Sequence, residues 1–432
     1  MKILIVGNGF DLAHYMPTKY DHFMGAMQAV EAWDISKGEM GFDDLFKGFY
    51  QKEEWFFGYT KAMYKTDEIK LTVEQIKELQ QQLKENVWYQ YFSEHVKELK
   101  TWIDFEIKIE EALLICCSFF DEYKLLYQKH GEVNDEILPL KHTSAKYIKL
   151  SEKNKKILQL ISILKIEDRE NTRAPSAGLS SSEVRKVKTT IVNSEFLITD
   201  NKYENFQYEK FINSSYNQLE LFKEILNSYL MEIIEHLKLR EKILIPEPLN
   251  CLDHIFSFNY TSTIKRFHNS DMEIEFLHGQ CGLKQNIVLG ISDLPHGRLK
   301  ELKAYGFVKY HQKLMKNTNY KFILENEAIS VHLKLNGKIL EPEGLNLTFW
   351  GHSLDVSDRN YIEEVFSLND EKDLGARVLI YFYDLQAKFS LLANLIHILD
   401  NHKIETWMKK GWLKFEAMPN IAEINGIKSV TL

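Results

Sequence analysis

Met1-Lys-Ile-Leu-Ile-Val-Gly-Asn-Gly-Phe-Asp-Leu-Ala-His14 opens the chain, and its reading decides the fold. Ile3 to Val6 form a short, β-branched apolar run, the composition of a strand buried on both faces. The run breaks at Gly7-Asn8-Gly9 and passes into Leu12-Ala13-His14, which reads as a helix start. A strand that feeds through glycines into a helix gathers free N–H groups and the positive dipole end at one point, a place for a diphosphate. In this reading Gly7 permits the tight turn, and Gly9 lets the backbone approach a ligand. The third glycine of the G-x-G-x-x-G fingerprint is replaced by Leu12.

The remaining strands must come from far along the chain. From about residue 30 to 245 the texture is helical: Leu71 to Lys100 and Leu219 to Lys242 carry apolar residues at three- and four-residue spacing among Glu and Lys. This block shows no sustained strand pattern and reads as an all-helical insertion, with a flexible loop at about 171–186 and a Lys-rich solvated face at Lys146 to Lys156. After Pro248 the α/β texture returns, with strands expected at His254–Phe258, Glu273–Leu277, Ile287–Leu289, Leu345–Trp350 and Val378–Tyr383. Helices are expected at Asp358–Leu368 and Leu385–Leu399. The expected fold is therefore α/β: a Rossmann-like parallel sheet with helices on both faces, assembled from residues 1–25 and 250–400. Residues 401–432, with Trp407 and Trp412 in a short helical piece, read as a tail packed on the body.

Composition narrows the function. The 432 residues carry a net charge of −8, so no general basic character draws nucleic acid. No apolar run reaches the roughly 18 residues of a membrane span, and the N-terminus lacks the form of a signal peptide. A cytoplasmic protein is expected. Cys116, Cys117, Cys251 and Cys281 form no C-x-x-C pair, so neither a disulfide framework nor a zinc site is expected.

Ligands of a parallel sheet bind at the carboxyl ends of its strands. Polar clusters stand at such ends: Gly7 to Asp11, Asn259-Tyr260-Thr261, His278-Gly279, and Gly351-His352-Ser353 through Asp358. Each alone has an ordinary structural explanation, as a turn, a strand end or a helix cap. Together they point to one nucleotide site.

These residues also carry a resemblance. Gly7-Asn-Gly-Phe-Asp-Leu-Ala-His14 followed by Met16-Pro17-Thr18-Lys-Tyr20-Asp-His-Phe23 resembles the opening signature of the AbiH family of bacterial abortive-infection proteins. Trp102-x-Asp104-x-Glu106, Phe258-Asn-Tyr-Thr-Ser-Thr263, Leu277-His278-Gly279 and Gly351-His-Ser-Leu-Asp355 with Asp358 are similar to that family's other marks, in the same order. A more distant resemblance is to sirtuins and sirtuin-like NAD hydrolases. Their opening motif coincides at Gly7, Gly9 and Pro17, their strand-end Asn at Asn259, and their His-Gly at His278-Gly279. This chain departs from them at Asp11, Lys19, Tyr20 and Thr261, and it lacks their zinc cysteines, which argues against a protein deacylase.

The two resemblances imply a phage-defence protein that binds NAD or a related nucleotide and cleaves its nicotinamide–ribose bond when triggered. His278 is expected as the base, Asn259 as the group orienting water or a ribose hydroxyl, and Asp11 as a ribose partner. Gly7, Asn8, Gly9, Phe10, Pro17, Tyr260, Thr261, Gly279, Gly351, His352, Ser353 and Asp358 are expected to hold the nucleotide. No metal is expected. The implied partners are this small-molecule nucleotide and a phage trigger; self-association is left open. Two alternatives stand beside it: a sensor that binds the nucleotide without cleaving it, and a metal-dependent nuclease using Asp104, Glu106 and Glu110.

Overall fold

A computed structural model of the chain describes all residues except 96–101, 132–149, 173–183, 201–202, 245, 269–271, 320 and 339–343. Six strands build the central sheet: β1 (Lys2–Val6), β2 (His254–Ser257), β3 (Ile274–Phe276), β4 (Leu345–Trp350), β5 (Ala376–Phe382) and β6 (Leu413–Ala417). Every neighbouring pair is parallel, and the spatial order is β3-β2-β1-β4-β5-β6. That is the strand order of the doubly wound dinucleotide-binding fold, in which the order reverses between β1 and β4.

The period of two along each strand sorts its side chains between two cores. Leu4, Val6, Ile255, Ile274 and Trp350 face one core, which they share with Met24, Phe57, Trp88, Phe105 and Phe222 of the long segment between β1 and β2. Ile3, Ile5, Phe256, Leu347, Phe349 and Ile380 face the other, built with Leu333, Val365, Leu395 and Trp407 from helices that follow β3. The segment after β1 therefore covers one face of the sheet, continuous with its core.

The strand and helix expectations are met at Leu345–Trp350 and Leu385–Leu399, and to within two residues at most others. Four points differ. Ile287–Leu289 is not a strand: Val288 N–H donates to the His278 carbonyl, while Leu289 N–H goes to the Gln312 side chain, so no ladder forms. The segment between β1 and β2 is not purely helical. It contains antiparallel pairs at Leu164–Thr172 with Val184–Val192 and at Leu197–Asp200 with Tyr203–Phe206, besides a short one at Met40–Gly41 with Lys70–Leu71. In the longest pair Leu164 and Val192 are buried at its base, whereas Ile166 is exposed, so the usual half-apolar alternation is missing. The ends of the expected 171–186 loop belong to this hairpin, and its middle, 173–183, lies outside the described residues. The Lys-rich stretch is described only from 150 onward, where a helix spans Glu152–Leu160.

The tail is more than a packed appendage. Leu413–Ala417 supplies β6, paired in register from Val378↔Leu413 to Phe382↔Ala417. Gly411, at φ +68°, turns the chain out of the Asn401–Lys409 helix and into that strand.

Candidate functional site

The site is built where the chain leaves β1 and β4. Gly7 N–H donates to the Trp350 carbonyl at 3.1 Å, and Gly9 N–H to the Gly351 carbonyl at 2.9 Å. The two loops cross in direct backbone contact. A Cβ on Gly9 would lie 2.6 Å from Gly351 Cα, and one on Gly351 would lie 2.1 Å from the Phe10 nitrogen. Gly351 also has φ +75°, a conformation that favours glycine. The glycine pattern is thus explained by the crossing, and the Gly9 N–H expected to face a ligand is already occupied by Gly351.

The four polar clusters do converge. Gly7, Asn8, Gly9, Asp11, Asn259, Tyr260, Thr261, His278, Gly351, His352, Ser353 and Asp358 all line one cavity of about 400 Å³ at the switch between β1 and β4. Three expected residues do not line it. Phe10 turns into the core against Trp350, with ring centroids 5.1 Å apart. Pro17 gives its carbonyl to the buried Tyr229 hydroxyl. Gly279, at φ +76°, makes the tight turn after β3, where a Cβ would strike the Asn286 carbonyl.

Glu106 joins the cavity from the Trp102–Gly131 helix. Lys309 joins from the Lys309–Lys316 helix, its Nζ 2.5 Å from Glu106 Oε1 and 3.9 Å from Asp358 Oδ1. Lys309 also donates to Ser357 Oγ at 3.3 Å. One cation therefore stands between two buried carboxylates. Burial opposes the charge on Asp358, but Lys309 and the imidazoles of His278 and His352 hold it well below the usual carboxylate range. Glu106 receives the weaker share: burial first, then the repulsion of Asp358 and Asp355, outweigh Lys309 and push it up to about 7. Asp358 stands at the N-cap position of the Arg359–Ser367 helix yet makes no capping bond, since Asp355 caps the preceding turn.

His278 is held neutral. Burial, with Lys313 nearby, lowers His278 to about 3. Its Nε2 lies 3.2 Å from Asp358 Oδ1, the contact through which it helps hold that carboxylate low. The value of about 3 lies below the near-neutral range the sequence reading expected of His278 as a base. His352 Nδ1 accepts the Leu354 N–H at 2.9 Å, which places its proton on Nε2, 3.5 Å from Asp358 Oδ2. Phe258 packs against both imidazoles, at ring distances of 5.0 and 4.2 Å.

Asp11 is fully buried, and burial raises its carboxyl to about 6. Its Oδ2 accepts the Thr261 hydroxyl at 2.5 Å, while Oδ1 is unpartnered among the described residues. Asn259 donates its backbone N–H to Ser257 Oγ, and its side-chain amide has no described protein partner. A buried polar atom without a partner is unusual, and this cavity holds that of Asp11 beside the close His278–Asp358 pair.

The nuclease carboxylates do not assemble. Asp104 and Glu110 do not line the cavity, and Glu106 pairs with Lys309. The side chain of Trp102 lies outside the described residues. Among the described residues the single group with metal-compatible spacing is Asp21, His22 and Glu53, whose ligand atoms lie within 4.8 Å of one another. Lys19 Nζ already sits 2.6 Å from Glu53 there.

A parallel sheet in this strand order, with a polar cavity at its switch point, defines a doubly wound, Rossmann-like α/β protein. Residues 3–381 match the model of the bacteriophage abortive infection AbiH family, and the chain belongs to that family. No curated protein and no solved structure matches the chain. Among the described residues no helix is long and apolar enough to cross a membrane.

Proposed function

We propose that this abortive-infection protein binds NAD or a related nucleotide in the polar cavity and, when triggered, cleaves its nicotinamide–ribose bond. The observation that carries the reading is the unpartnered, buried carboxyl oxygen of Asp11 beside the close His278–Asp358 pair and Asn259, all lining one cavity at the switch point. A ribose, with its hydroxyl donors and acceptors, satisfies such a set.

The charge suits the reaction. Breaking the C1′–N bond sends its electron pair to the ring nitrogen, so nicotinamide leaves neutral and positive charge develops on the ribose. Asp358, held ionised, stabilises that charge in a cavity where water does not screen it. Asn259 orients the attacking water through its amide. Glu106, poised near 7, takes the water's proton as the C1′–O bond forms. His278 stays neutral and hydrogen-bonds a ribose hydroxyl. This reading moves the base from His278 to Glu106.

The Lys309 ammonium between Glu106 and Asp358 favours a second reading, a sensor that binds the nucleotide and leaves it intact, because it neutralises the groups that cleavage needs.

The test is nicotinamide release from NAD by the purified protein and its Asn259→Ala, His278→Ala and Glu106→Gln variants, with binding followed by calorimetry. Cleavage by wild type should rise with pH through about 7, as Glu106 loses its proton. The Gln variant should lose both the rate and that rise. Release by the isolated chain selects the enzyme, binding without release fits a sensor or an enzyme awaiting its trigger, and absence of NAD binding overturns both readings.

A further inference from the structure

A second cavity, of about 840 Å³, lies across the loop crossing and shares Gly9, Lys19, Gly351 and Ser353 with the first. Among the described residues no Asp or Glu lines it. Its walls are aromatic. Trp55, from the Glu54–Met63 helix, faces Tyr383, which follows β5, with the ring planes 18° apart and the centroids 6.3 Å apart.

Both rings stand largely in the open, Trp55 at 47% exposure and Tyr383 at 59%. Two rings that clasp a third plane need about 7 Å between them, twice a carbon–carbon contact of about 3.5 Å. A small outward swing of the exposed Tyr383 provides it. Trp55 is the fixed jaw, set edge-on against Tyr15 and Phe56 at 6.0 and 5.9 Å. Such a pair offers stacking surface to any flat ring, and a ligand that fills it removes apolar area from water.

Charge divides the two cavities as well. Lys19, whose Nζ is paired with Glu53 at 2.6 Å, borders both, so an anionic linker passing from one to the other meets that ammonium at the boundary in exchange for or beside the carboxylate.

We propose that the aromatic cavity is a base subsite, in which a planar heterocycle joined through a diphosphate to the ribose of the polar cavity inserts between Trp55 and Tyr383. The inference rests on the ribose reading of the polar cavity and narrows the ligand to a dinucleotide. Each jaw comes from a different part of the chain, one from the segment after β1 and one from the sheet. A displacement of either part therefore opens the subsite.

Calorimetry with NAD, ADP and nicotinamide mononucleotide tests it on wild type, Trp55→Ala, Tyr383→Ala and Trp55→Phe. Base stacking on an aromatic side chain is worth about 1–3 kcal/mol. The two Ala variants should thus bind NAD and ADP about ten-fold or more weakly, leave the mononucleotide unchanged, and keep the wild-type melting temperature. Trp55→Phe should restore most of the loss. Equal weakening of all three ligands, no change in any, or a wild type that binds neither ADP nor NAD overturns the base subsite. Trp55-dependent binding of ADP upholds the subsite whether or not NAD is cleaved, and NAD left intact by phage-infected cells that make the protein overturns the cleavage reading alone.

Discussion

The cavity around Asp358 and the cavity around Trp55 share the Gly9–Gly351 crossing as a wall, yet among the described residues carboxylates line the first and not the second. In the first, polar atoms are buried with too few partners, and their charges are set by one another: Lys309 holds Asp358 ionised, while Glu106 is left near neutrality. In the second, large rings stand exposed, and among the described residues the titratable groups that line it are Lys19, His352 and tyrosines. The difference teaches where stability and function trade. Buried charge costs folding free energy and persists only where a role requires it. Exposed aromatic surface costs little and waits for a ligand.

Four substitutions would break or sharpen that contrast. The largest effect belongs to the shared wall. Gly351→Ala places a Cβ 2.1 Å from the Phe10 nitrogen at a positive φ, and should destabilise by more than about 4 kcal/mol in urea unfolding. A near-wild-type variant would mean that the two loops do not cross as described.

Next is Lys309→Met, which leaves Glu106 and Asp358 buried without their cation. The expected loss is about 3–5 kcal/mol at pH 8, shrinking as pH falls and Glu106 is protonated. A neutral outcome would show that the polar cavity is not held by charge.

Asp11→Asn is smaller and of opposite sign. The folded carboxyl titrates at about 6, above its ordinary 3.8, so the folded state binds the extra proton between those values. Wild type therefore loses stability as pH rises from about 4 through 6, and the Asn variant escapes that loss. At pH 8 it should be more stable than wild type by about 1–3 kcal/mol, a gain absent at pH 3.5. Thermal melts across that range decide it.

Smallest is Trp55→Ala. A half-exposed ring on a helix surface should matter to stability by no more than about 1 kcal/mol. A larger loss by the same melts would make Trp55 a packing residue and erase the contrast between the cavities.

Much of this was legible in the chain. β1 reads correctly because Ile3 to Val6 are buried on both faces, and a strand without a polar side announces a parallel sheet. The polar residues after β1, β2, β3 and β4 converge because parallel strands bring their carboxyl ends to one edge. β6 was within reach too: Leu413, Lys414, Phe415 and Glu416 alternate as an edge strand does, and Gly411 marks the preceding helix end. Lys309 was not. In the Lys309–Lys316 helix Lys309, Gln312 and Lys313 are buried while Tyr310, Leu314 and Met315 are exposed. An amphipathic reading points those lysines to solvent.

The sequence by itself determined the α/β class, the ends of the sheet that carry the site, and membership of the abortive-infection family, because period, turn chemistry and residue type are local. Only the tertiary structure decided that Gly9 serves the loop crossing, that Glu106 is raised toward neutrality, that burial and Lys313 lower His278, and that Trp55 faces Tyr383. Each of these depends on what a distant segment places alongside, and burial and charge at a point are sums over neighbours in space, which no local pattern contains.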